Sequence, residues 1–108
     1  MATLTVNQVT ITGLTDALVA AAGGGDDFLN TCKEWFEVNN GGGGSITVTF
    51  ATPATVEGVA IDNPAIAVGA GVRKKIGPFA PGLFNDSNGK VQVTYSGVTT
   101  VTVGAFKT

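Results

Sequence analysis

The last third of the chain is its most constraining feature. Residues Gly89-Lys90-Val91-Gln92-Val93-Thr94-Tyr95 and Val101-Thr102-Val103 set Val against polar residues, chiefly Thr, at a two-residue period. Successive side chains of an extended strand point to opposite faces, so this pattern builds strands with one face buried and one wet. An Asx-Gly turn, Asp86-Ser87-Asn88-Gly89, punctuates the run with residues that tolerate positive φ. The pattern predicts strands of one buried face repeated across a hairpin. Val91, Val93 and Tyr95 form one inward row, and Val101, Val103 and Ala105 form another beyond Ser96-Gly97.

Upstream segments carry the same grammar. Lys33 to Asn39 reads as a strand with Glu34, Phe36 and Val38 on one face and Trp35 and Glu37 on the other. Ser45 to Ala51 alternates with Ile46, Val48 and Phe50 inward and Thr47 and Thr49 outward. The intervening Asn39-Asn40-Gly41-Gly42-Gly43-Gly44 predicts that these two strands form a hairpin with a flexible tip. Thr55 to Ile61 reads as one further strand with a parity slip at Gly58, and Asp62-Asn63-Pro64 turns the chain. Ala65 to Val68 is a short strand. Val72 to Ile76, with Arg73-Lys74-Lys75, reads as an edge strand whose lysines block unwanted pairing.

The N-terminal segment changes parity: Leu4 and Val6 share one face, and Val9 and Ile11 share the other. That predicts, near Asn7-Gln8, either a bulge or a strand passing from one sheet to another. Leu14 to Ala22 reads as a loop, and Asp26 or Asp27 as the cap of a single helical turn over Phe28-Leu29. Pro78 and Pro81 predict a rigid bend. Seven or eight short strands at regular spacing predict an all-β fold, a two-sheet antiparallel β-sandwich of Ig-like or jelly-roll type with at most one short helical turn. The expected unit is a single domain spanning residues 1–108.

Composition narrows the function classes. Charged residues make up 13% of the chain, against about 25% in an average soluble domain. Sixteen glycines and many threonines stand in their place. Such a surface is weakly insulated against association and suits a chain that lives inside an assembly. The formal charge of −2 argues against a nucleic-acid partner. The Arg73-Lys74-Lys75 cluster is expected to be a solvated strand edge. Lone Cys32 leaves no intrachain disulfide, which points to synthesis in a reducing cytoplasm. Met1-Ala2-Thr3-Leu4-Thr5-Val6 has no basic and then apolar run, so no signal peptide is expected, and no apolar stretch predicts a membrane span.

The residues expected of an active site are missing. The chain has no histidine, which excludes Ser-His and Cys-His pairs and His-ligated metals. Glu34 and Glu37, three apart on a strand, face opposite ways and cannot act as a carboxylate pair. Cys32 is expected to be buried or chemically indifferent. Asp86-Ser87-Asn88-Gly89 faintly resembles the start of a calcium loop but lacks the closing Glu, and Asp26-Asp27 is no better supported. Gly41 to Ser45 lacks the Lys-Ser/Thr pair of a phosphate loop. No enzyme activity, cofactor, metal or small-molecule substrate is expected. Trp35 stands out: an exposed Trp is a favoured interface anchor, while a covered one would seal the sandwich. Phe79, Leu83 and Phe84, beside prolines in a loop, face the same two possibilities.

Several runs together resemble small structural proteins of tailed-bacteriophage morphogenesis modules. They are Gly25-Asp26-Asp27-Phe28-Leu29-Asn30, Trp35-Phe36-Glu37-Val38-Asn39-Asn40-Gly41 and Ile46-Thr47-Val48-Thr49, then Lys75-Ile76-Gly77-Pro78-Phe79, Phe84-Asn85-Asp86 and Gly89-Lys90-Val91-Gln92-Val93-Thr94-Tyr95. The likeness spans roughly residues 25 to 103 and consists of turns and core rows. It implies a virion component on the capsid surface, made in the bacterial host cytoplasm: a capsid decoration (cement) protein whose partners are the major capsid protein and itself, as a homotrimer. On that reading, contacts are expected from Trp35, Phe79, Leu83, Phe84 and the N-terminal strand Thr3, Leu4, Thr5 and Val6. Two alternatives stay open. One is another virion role, in the neck, tail or head-fibre base. The other is a carbohydrate-binding or adhesion Ig-like module, which would display aromatics in a row on one face.

Overall fold

The inward rows expected from the Val-Thr alternation are buried: Phe36, Val38, Val48, Val91, Val93, Val103 and Ala105 are wholly inaccessible. In a computed structural model that describes residues 2–15 and 17–107, these rows face one another across two packed sheets. In chain order the strands begin with β1 (Ala2–Thr3), β2 (Val6–Gln8), β3 (Val19–Ala20), β4 (Asp26–Leu29), β5 (Glu34–Asn40) and β6 (Ile46–Phe50). There follow β7 (Thr55–Val56), β8 (Val59–Ala60), β9 (Ala65–Val68), β10 (Arg73–Ile76), a helical turn α1 (Pro81–Phe84), β11 (Lys90–Tyr95) and β12 (Val101–Lys107). The first sheet has the order β1-β4-β11-β6-β9; the second has the order β10-β5-β12-β2, with β3 beside β12. The all-β, two-sheet sandwich is therefore the observed architecture, with one short helical turn.

Each sheet is antiparallel except where the N-terminal segment joins it. β1 runs parallel to β4, and β2 runs parallel to β12. One continuous segment thus edges both sheets, crossing between them at Leu4-Thr5 rather than near Asn7-Gln8. Leu4 at the crossing points into the core, which explains why the apolar parity changes along this stretch.

Both expected long hairpins are corrected. β5 and β6 lie in opposite sheets, and so do β11 and β12. The glycine-rich segment after Asn40 is therefore a crossover between layers, and it is pinned rather than flexible. Asn40 is buried; its side-chain amide donates to the carbonyls of Gly44, Val68 and Gly69 at 2.8, 3.1 and 3.2 Å. Its side-chain oxygen accepts the Gly42 N–H at 3.1 Å. Thr55 to Ile61 is not one strand but a two-stranded arm, β7 and β8, reversing at Glu57-Gly58 with φ of 51° and 81°. Two successive positive φ values are what a right-twisted two-residue hairpin requires. Asp26 and Asp27 cap no helix; they lie in β4, and the helical turn begins instead at Pro81, where a missing N–H costs nothing.

One end of the core is filled by aromatic rings. Phe36 stacks on Phe28 at 5.9 Å and meets Phe50 edge-on at 5.4 Å. Phe79 touches Phe28, Phe50 and Phe84 at 5.6, 4.8 and 5.4 Å. An Asn pair, Asn30 buried and Asn85 half-buried, holds the loop that delivers Phe79: Asn30 donates to the Phe79 carbonyl at 3.0 Å and to Asn85 Oδ1 at 2.7 Å, and Asn85 donates back to the Asn30 carbonyl at 3.0 Å. β10 is an edge strand, as its basic residues predict, and Lys74 reaches across to the Ala67 carbonyl on the other sheet's edge at 2.9 Å.

Candidate interaction surface

Residues of β5 and β12 that do not face the core make the outer face of the second sheet. Trp35 and Phe106 are cross-strand partners there, stacked at 4.9 Å and 28°. Beside them Glu37, nearly buried, pairs with Arg73 Nε at 2.6 Å and Lys75 Nζ at 3.6 Å. Two cations on β10 thus approach the Glu37 carboxylate. The loop after β2 runs over this face, so that Val9 and Leu14 close a groove of about 300 Å³ above Trp35, Glu37, Arg73 and Phe106. Gly104 makes the close approach possible: a Cβ there would lie 2.9 Å from Leu18 Cδ2 and 3.0 Å from Phe106 Cε2. A larger residue there would require the Leu18 and Phe106 side chains to shift.

The β7-β8 arm is the second distinctive surface. Every residue from Thr55 to Ala60 is exposed, with Val56 at 59% and Val59 at 68%. Its base is latched. The Thr52 N–H and hydroxyl donate to Asn63 Oδ1 at 2.9 and 2.7 Å, and the hydroxyl also reaches the Ile61 carbonyl at 2.8 Å. A third apolar projection is Ile11, at 104% exposure on the loop beside the groove.

The residues singled out from sequence divide three ways. Trp35 and Val6 are half-buried, and Thr3, Thr5 and Leu83 are exposed, so their side chains are accessible. Leu4 and Phe79 are core residues at 6% and 3% exposure and present nothing to a partner. Phe84 packs against the core from its margin. Thr3 and Val6 are committed to in-chain pairing with Asp27 and Ala105. The surface features that reading the sequence missed are Val56, Val59, Ile11 and the groove. The parity slip at Gly58 was the available signal: a reversal at Glu57-Gly58 makes Val56 and Val59 cross-strand partners on one face of a short hairpin.

Cys32, expected to be buried or indifferent, is exposed, at a φ of 75°. Asp86 has both oxygens engaged within its own turn, accepting from the Asn88 and Lys90 N–H groups at 2.8 and 3.1 Å and from Gln92 Nε2 at 2.9 Å. The bond from Gln92, followed by those from Lys90 and Asn88, holds its carboxyl below the usual value of 3.8. Among the described residues no group of three or more His, Cys, Asp or Glu is placed to hold a metal, and no helix is long and apolar enough to cross a membrane. Searches against protein-family models, curated proteins and solved structures give no match to this chain.

Proposed function

We propose that this chain is a capsid decoration protein of a tailed bacteriophage, one that binds the outer surface of the major capsid protein lattice and reinforces the shell. The observation that carries the reading is the display of Val56, Val59 and Ile11 on two projections of an otherwise well-packed sandwich. Scattered exposed apolar residues are ordinary, but apolar residues at the tips of a latched arm and a loop cost solvation and contribute nothing to the fold. They gain their contacts when another chain covers them. The sparse charge of the surface and the resemblance described above point the same way. Contacts that are individually weak become effective when a lattice presents them many times over.

In this role the chain works by adhesion. Copies bridge neighbouring capsid subunits after shell expansion and add buried area where internal pressure pulls them apart. The partners are the major capsid protein and further copies of the chain, and the location is the virion surface after synthesis in the bacterial cytoplasm. Quantitative mass spectrometry of purified virions tests the reading. A copy number near that of the major capsid protein, or a fixed fraction such as one to three, is expected. A dozen or fewer copies would move the chain to the neck, tail or head-fibre base, and absence from particles would end the virion reading. The groove above Trp35 favours a carbohydrate-binding role as the second reading; titration with soluble sugars against the fluorescence of Trp35, the sole Trp, checks it.

A further inference from the structure

We infer that Asn88 is a site of spontaneous covalent modification, where the side-chain amide is lost as ammonia and the turn before β11 acquires an aspartyl or isoaspartyl linkage. The inference is independent of the decoration reading and does not fall with it. Two Asn-Gly steps occur in the chain, Asn40-Gly41 and Asn88-Gly89. In each, the glycine nitrogen can attack the asparagine Cγ, because glycine has no Cβ to obstruct the approach. The glycine N–H gives its proton to a solvent base, the new N–C bond closes a five-membered succinimide, and the amide nitrogen takes up a proton and leaves as ammonia. Water then adds to either ring carbonyl and breaks that carbon's bond to the ring nitrogen, which regains a proton. Opening at the side-chain carbonyl gives aspartate. Opening at the main-chain carbonyl gives isoaspartate, whose backbone runs through the former side-chain methylene. Overall, water is consumed and ammonia released.

The fold separates the two steps. Asn40 is buried, with its amide nitrogen donating to the Gly44, Val68 and Gly69 carbonyls and its oxygen accepting the Gly42 N–H. Its would-be nucleophile is held as well, since the Gly41 N–H donates to the Thr100 carbonyl at 2.9 Å. Cyclisation there requires the crossover to leave the core. Asn88 is exposed in the turn from Asp86 to Gly89, and among the described residues no hydrogen bond engages its side-chain amide. The attacking nitrogen is restrained by the turn's own bond, from the Gly89 N–H to the Asp86 carbonyl at 3.1 Å. Exposed turns open at little cost in free energy, whereas core groups open only with much of the fold. Gly89 sits at a φ of 74°, which a β-carbon would strain, so the geometry of the turn itself demands the residue that leaves Asn88 reactive. The isoaspartyl product lengthens the backbone inside a closely bonded unit. Asp86 Oδ1 accepts the Asn88 and Lys90 N–H groups, and the Gly89 carbonyl accepts the Asn30 N–H at 3.0 Å. Asn30 in turn holds the Phe79 carbonyl and Asn85. The modification therefore loosens the aromatic end of the core.

The test incubates the purified chain in mildly alkaline, heavy-oxygen water below its melting temperature, then maps tryptic peptides by mass spectrometry with fragmentation that tells isoaspartate from aspartate. Cleavage after Lys and Arg places Asn88 in residues 76–90 and Asn40 in residues 34–73. In the folded chain, conversion at Asn88 is expected to run at least about tenfold faster than at Asn40, because exposed turns open far more often than cores. In denaturant the two Asn-Gly steps should convert at similar rates. Equal rates in the folded chain, or conversion at Asn88 that appears only in denaturant, would overturn the assignment. Asn88→Ser, at an exposed position, should abolish heavy-oxygen uptake in residues 76–90. Uptake that persists in this variant would move the reaction to Asn85 and overturn it as well. Aged wild-type chain should melt below the Asn88→Asp variant, which carries the added charge at unchanged backbone length. Equal melting would remove the link from the turn to Asn30 and Phe79.

Discussion

Glu34 shows how a charge survives inside this fold. It lies on the inward row of β5 and is almost inaccessible. Burial raises its carboxyl pKa. The Thr31 N–H at 2.6 Å, the Thr31 hydroxyl at 3.0 Å and the Lys33 N–H at 3.1 Å more than offset this and leave it below the usual value of 4.5. A carboxyl depressed by folding stabilises the native state above its unfolded pKa, and that stability is lost as pH falls through the folded value. The melting temperature is therefore expected to drop as pH falls below about 4.5, and Glu34→Gln should flatten that acid limb in a pH series of thermal melts. Phe79 is the other residue whose role only packing reveals. Flanked by prolines in a loop, it reads as a surface aromatic, yet the Asn30–Asn85 pair aims it at three other rings. Phe79→Ala should cost about 3–5 kcal/mol, measured from the urea midpoint at constant slope. Tyr95 belongs to this scale too: burial first, then its 2.6 Å bond to Asp26, pushes its hydroxyl well above the normal range. As the sole Tyr, it should show no phenolate absorbance on raising the pH through 10 until the fold itself opens.

Single elements differ in how far the chain alone announces them. β9, β11 and the edge strand β10 appear where alternation and basic residues place them, because a strand's faces follow from a two-residue period whatever its neighbours are. What alternation leaves out is the partner. Val48 and Val38 would look the same in one sheet or in two facing sheets, so β5 and β6 resemble a hairpin in sequence. Asn40 decides otherwise, by turning the chain across the layers and donating to three carbonyls, one of which, that of Val68, the Ser45 hydroxyl also reaches at 3.4 Å. Asn40→Ala would remove those bonds and the acceptor of the Gly42 N–H, at a cost of about 1–3 kcal/mol for each group then left without a partner that water cannot reach. Denaturant melts would show it as a lowered midpoint. The arm reads as a slipped strand for a related reason: the Glu57-Gly58 turn is short, and the exposure of residues 55–60 is a property of the folded chain that the alternation does not carry.

Across the whole molecule, consecutive long strands alternate between sheets except at β6 and β9, which pair with each other: β4, β6, β9 and β11 lie in the first, β5, β10 and β12 in the second. Neither sheet can form without the other, since almost every loop spans the core. Unfolding is thus expected to be a single transition in which far-ultraviolet circular dichroism and Trp35 fluorescence coincide. Refolding should fall in the millisecond-to-second range of folds dominated by distant pairings; separated transitions or microsecond folding would contradict this topology. The strand faces, the β class and the lack of a histidine-based active site are local facts of residue type and period, and they are legible before folding. Sheet membership, the parallel edges built by the N-terminal segment, the polar residues satisfied in the core and the groove above Trp35 are not. Each depends on which distant backbone or side chain completes a hydrogen bond or covers a ring, and that choice exists only once the two layers have closed on each other.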